Sequence, residues 1–183
     1  MMAMTAITFV ACGNKTTGNN DNGDADSVFM LDGPGSVYEP TKEEVGQYAV
    51  ETVQEVYEAV SKAYTSEDWK TATSKLDEEF CSKDWNATVK AVIAKDKTNN
   101  DIPYFEADYW IMGQDWSEDI HATDFKLKNI NLDEKPWHAT VTLNLHNFNI
   151  IPVEVGLVYE DSAWKVDELN DWKEGMKDYL TSE

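Results

Sequence analysis

Between residues 137 and 146 the chain alternates without exception. Trp137, Ala139, Val141, Leu143 and Leu145 fall on one parity, and His138, Thr140, Thr142, Asn144 and His146 on the other. Successive side chains of a strand point to opposite faces, so this run demands a sheet with one buried and one solvated face. Antiparallel sheets have that character, whereas strands of fully covered parallel sheets read as unbroken apolar runs. The neighbouring segments agree. Residues 121–132 read as a strand with Phe125 and Leu127 on one face, Val153, Val155, Leu157 and Tyr159 mark a third strand, and Trp164 and Val166 a fourth. The short connections Asp133-Glu134-Lys135-Pro136, Asn147-Phe148-Asn149 and Asp161-Ser162 suit an antiparallel meander.

The preceding half has the helical period. Pro40-Thr41-x-x-Glu44 is a capping box, after which Val45, Ala49, Val53, Val56, Val60 and Ala63 form one apolar stripe. A less regular helical region covers residues 69–80. A third helix follows the cap Ser82 with Trp85, Val89 and Val92 on one face, and stops at Asn99-Asn100. Asn170 is expected to cap a closing helix that runs to Leu180. Helices followed by a meander define an α+β fold, and residues 41–183 are long enough to bury roughly 68% of their unfolded surface in one core. Seven Trp supply rings for that interior.

Ahead of this domain, Phe9-Val10-Ala11-Cys12 closes an apolar run and Gly13 follows it, an arrangement that resembles the cleavage and lipidation box of bacterial lipoproteins. Residues 1–12 are therefore expected to be a signal segment ending at lipidated Cys12, and 13–40 a flexible acidic tether rich in Gly, Asn and Asp. No Lys or Arg precedes the apolar run, and the neighbouring Met1 and Met2 are expected to mean either that translation starts upstream or that Met1 is an alternative start. The run is far short of the roughly 20 residues a membrane crossing needs, which leaves acyl chains as the membrane attachment. The implied address is the cell envelope, at the outer membrane of a Gram-negative cell.

Residues 41–183 carry 14 Lys against 30 Asp and Glu, a net charge of −16, and the chain contains no Arg. Nucleic acid is excluded as an expected partner, because its binding rests on neutralised phosphates and on bidentate Arg contacts. Anionic lipid headgroups are disfavoured by the same field. With Cys12 acylated, Cys81 is the remaining thiol, so stability has to come from the core.

Helices followed by a meander whose last strand reads Trp164-Lys165-Val166-Asp167-Glu168-Leu169 resemble the cone-shaped fold of the nuclear-transport-factor-two-like, or cystatin-like, superfamily. The segment Asp108-Tyr109-Trp110-Ile111-Met112-Gly113-Gln114-Asp115-Trp116 ahead of the sheet is similar to that of a family of uncharacterised bacterial envelope lipoproteins, defined as a domain of unknown function. The likeness spans residues 41–180. It implies a fold and an address, and brings no catalytic residues with it.

Tyr104, Asp108, Tyr109, Trp110, Asp115 and Trp116 form the candidate ligand pocket, since flat rings among carboxylates suit a neutral sugar or small amphiphile. The competing reading is that these rings close the end of the core. Asp108 with Tyr104 or Tyr109 could also be cast as the base and oxyanion donor of an isomerase-like or dehydratase-like enzyme. Thr140, Thr142 and Asn144 form an uncharged polar ladder, a candidate interface for a protein partner. His138 and His146 share a strand face but lie roughly 26 Å apart, and His121 has no ligand at metal spacing, so neither a metal nor a cofactor is expected. The reading reached is a non-catalytic, lipid-anchored envelope protein that binds a small molecule or glycan. A protein-binding inhibitor or immunity-type protein is the alternative, and the Asp/Tyr enzyme the third.

Overall fold

The structure is a computed structural model in which residues 40–98 and 103–182 are described. Cys12, the tether, and the helix stop at Asn99-Asn100 lie outside the described residues. Helix α1 spans Lys42–Tyr64 and begins with the reciprocal cap: the Thr41 amide donates to Glu44 Oε2 at 2.8 Å and the Glu44 amide to Thr41 Oγ1 at 3.2 Å. Its whole expected stripe is buried, joined by Tyr57 and Tyr64. The less regular region resolves into two short helices, α2 (Trp69–Thr73) and α3 (Leu76–Phe80), separated at Ser74 and Lys75. Helix α4, Lys83–Asp96, is capped by Ser82, whose hydroxyl accepts from the Trp85 amide at 2.9 Å, and buries Trp85, Val89 and Val92.

The sheet is a four-stranded antiparallel meander in the order β1 (His121–Asn131), β2 (His138–Asn147), β3 (Asn149–Glu160), β4 (Ala163–Leu169). With helices before the sheet and α5 (Trp172–Thr181) after it, the architecture is α+β as the two periods require. In β2 the apolar parity is buried from Ala139 to Leu145, while Thr140, Thr142, Asn144 and His146 are half-buried on the other face. Asp161 and Ser162 both have positive φ, the backbone of the tight turn whose twist matches a hairpin. In β3, Gly156 sits at a register shift, and a Cβ there would meet Glu168 Cβ at 2.8 Å, so only glycine lets β4 approach this closely.

Strand β1 is irregular, with register shifts on both sides of Lys126 and Leu127 and Asp124 at φ 58°. Bulges of this kind bend a strand and re-aim its side chains. Here they leave Phe125 half-buried and Leu127 leaning on Gly46 of α1.

Asn170 does not cap the closing helix. Its side chain turns to β3, accepting from the Glu154 amide at 2.7 Å and donating to the Pro152 carbonyl at 3.3 Å. The first amides of α5 are met instead from β4: the Glu168 carboxylate accepts from Lys173 at 2.8 Å and Glu174 at 3.2 Å. A carboxylate suits that position better than an amide, because the helix N-terminus carries partial positive charge.

Candidate functional site

The aromatic and acidic residues ahead of the sheet are brought together, but largely with one another. Asp108 accepts from the Tyr64 hydroxyl through Oδ2 and from the Trp110 amide through Oδ1 at 2.9 Å, and its backbone bridges to Gly113. Asp77, on α3, takes the Tyr109 hydroxyl and the Trp110 indole Nε1, the latter at 2.9 Å. Burial raises the Asp108 carboxyl above the usual carboxylate range, against the opposing pull of its hydrogen bonds from Tyr64 and Trp110. Burial, reinforced by Asp108 and Asp77, pushes the Tyr64 and Tyr109 hydroxyls far up, so both remain protonated donors. Cys81, buried in this cluster, is likewise pushed up by burial and Asp77, which keeps it a thiol rather than a nucleophile.

The remaining pocket candidates are distributed around this cluster. Trp116 is half-buried, its ring 5.3 Å from Tyr64 and 4.7 Å from Trp69. Tyr104 packs among Phe105, Trp172 and Tyr179. Asp115 is exposed, and its backbone carbonyl accepts from Asn147 Nδ2 at 3.0 Å. Two cavities open elsewhere, and none of these six residues lines either.

A raised Asp108 carboxyl has a measurable consequence. The folded chain holds this proton to higher pH than the unfolded chain, whose Asp titrates near about 3.9. Between the two values the folded state binds the extra proton, so this group's contribution declines as pH rises through that window. Asp108→Asn is expected to flatten the stability–pH profile above pH ~4 relative to the parent. Parallel profiles from urea unfolding at a series of pH values would show that Asp108 does not titrate this way.

The larger cavity, of about 440 Å³, lies between α1 and β1. One wall is the helical row Gln54, Tyr57, Glu58 and Ser61, and the other is His121, Ala122 and Phe125. Tyr57 contributes to this wall, while its hydroxyl is buried near Cys81 and Asp108 with no hydrogen-bond partner among the described residues. Gln54 and Glu58 make no side-chain hydrogen bond within the described residues. His121 Nδ1 lies 2.7 Å from the Asp119 carbonyl, and its ring stacks on His146 at 4.4 Å. Two histidines separated by 25 positions in the chain thus become neighbours through the pairing His121↔His146, which intrachain spacing does not reveal. Among the described residues, no group of three or more His, Cys, Asp or Glu could hold a metal ion, and no helix is long and apolar enough to cross a membrane.

The second cavity, of about 300 Å³, is a hollow on the outer sheet face lined by Asp124, Lys126, Thr142, Asn144, Pro152 and Glu154 among others. Two of the three ladder residues therefore face it, and Thr140 stands next on the same parity. The surroundings are charged, unlike the ladder: Lys128 pairs with Glu154 at 2.5 Å, and Asn144 donates to Asp124 at 3.0 Å.

No family model and no curated protein matches the chain. A solved structure of a protein of unknown function from Bacteroides thetaiotaomicron is similar to it, with 16% sequence identity over 70% of this chain and 92% of that one, at a TM-score of 0.49.

Proposed function

We propose that this is a lipid-anchored envelope protein that binds a small polar molecule without transforming it, in the cavity between α1 and β1. The observation that carries this reading is the cavity itself. Its volume falls in the lower part of the ~300–1,000 Å³ range of ligand sites, and it combines ring surface with polar groups not engaged elsewhere. The acid and tyrosine groups suited to acid–base work are instead paired with each other and line neither cavity. A protein partner on the outer sheet face is the second reading, favoured by the hollow at Thr142 and Asn144.

Occluding the cavity tests the first reading. Ala122→Trp in the full chain is expected to abolish small-molecule binding while leaving the fold intact by circular dichroism. A library of small polar compounds, followed through the backbone resonances of Ser61, His121 and Ala122, supplies the readout. Compounds that shift these resonances equally in parent and variant would overturn it. The anchor is tested separately: Cys12→Ser, expressed behind a complete signal, is expected to lose fatty-acid labelling and leave the membrane fraction, and equal labelling of both forms refutes lipidation at Cys12.

A further inference from the structure

We infer that the cavity between α1 and β1 takes a neutral, hydroxyl-rich sugar and discriminates against acidic ones, because the polar atoms it leaves uncommitted are mainly hydrogen-bond acceptors. The inference rests on the binding reading above and specifies its ligand.

The direction of each hydrogen bond follows from its partner. His121 enters the lining from β1, but its ring stacks on His146 on the outer sheet face, so its nitrogens are not counted toward the ligand. Ser61 donates its hydroxyl proton to the Tyr57 carbonyl at 2.8 Å, so its remaining capacity is to accept. The Glu58 carboxylate, when ionised, only accepts. Gln54 supplies the one uncommitted amide donor of the lining, and no Lys is part of it. A ligand that satisfies two acceptors and one amide must present several donors on one edge, as the hydroxyls of a pyranose do.

Geometry and charge point the same way. Gln54, Glu58 and Ser61 are spaced i, i+4 and i+7, a row of about 10 Å at 1.5 Å per residue, long enough to meet more than one hydroxyl. Phe125, half-buried, adds ring surface for the apolar face of a sugar. An acidic ligand would bring its carboxylate beside Glu58 with only an amide to hold it, and like-charge juxtaposition of this kind weakens binding. The −16 of residues 41–183 opposes its approach as well.

Matched sugars decide the matter, since glucose, galactose and mannose differ from their uronic acids by one carboxylate. In the full chain, at least one neutral hexose is expected to shift the His121 and Ala122 resonances. Its uronate should bind more than about ten-fold more weakly. Glu58→Gln should narrow that gap, and Ala122→Trp should remove both responses. A uronate that binds as well as its hexose overturns the proposed ligand class. So does the absence of any hexose response while other polar library compounds occupy the cavity, a result that leaves the binding reading standing. Responses unaffected by Ala122→Trp place the sugar elsewhere and overturn the site.

Discussion

Trp85→Ala is expected to remove about 3–5 kcal/mol of folding stability. Trp85 is fully buried on α4, its ring 5.1 Å edge-on to Tyr109, and truncation leaves a void beneath the cluster formed around Asp77. Domains of this kind have only about 5–15 kcal/mol in total, so urea unfolding should shift to a markedly lower midpoint. Trp85→Phe separates packing from polarity. The Trp85 indole nitrogen has no hydrogen-bond partner among the described residues, so phenylalanine keeps most of the ring contact and deletes a buried unsatisfied donor. Its loss should therefore be much smaller than that of alanine. Equal losses for Ala and Phe would mean that the indole nitrogen is engaged after all.

Asp77→Ala is the second large effect, expected at about 2–6 kcal/mol, because it orphans two donors at once and each costs about 1–3 kcal/mol when buried unpaired. The donors are the Tyr109 hydroxyl and the Trp110 indole nitrogen, and the Trp110 ring is almost wholly buried. Asp77→Asn retains one acceptor oxygen and should recover part of the loss. Urea unfolding of both variants beside the parent provides the measurement. A near-parental midpoint for Asp77→Ala would refute a structural role for the acid–aromatic cluster.

These two residues also show where the sequence was readable. Trp85 was legible because its helix announces itself through the Ser82 cap and the spacing to Val89 and Val92. Asp77 was not. It lies 31 positions before Asp108 in an irregular helical region, and nothing local distinguishes it from the acids beside it, Glu78 and Glu79. The rings of residues 102–119 signalled that aromatics and carboxylates would meet, but not that they would pair with one another and leave the cavities to other residues. The closing helix failed at one atom, since Asn170 has the right chemistry for a cap and Glu168 the right position. For the cavity, half of the lining was present as the polar flank of the first helix: Gln54, Glu58 and Ser61 border the buried stripe at helical spacing. The opposite wall depends on which stretch of β1 lies against that flank.

The sequence by itself determined the elements and the faces they bury, because hydrophobic period is a local property: 3.6 residues through Ala63, two residues from Ala139 to Leu145. Only the tertiary structure decided which polar groups neutralise each other and which are left facing a cavity. That outcome depends on the β1–β2 register, which stacks His121 on His146, on the irregularity at Asp124, and on the approach of α3 that brings Asp77 to Tyr109 and Trp110. Each of these joins residues far apart in the chain at hydrogen-bond distances, and no local pattern encodes such a distance.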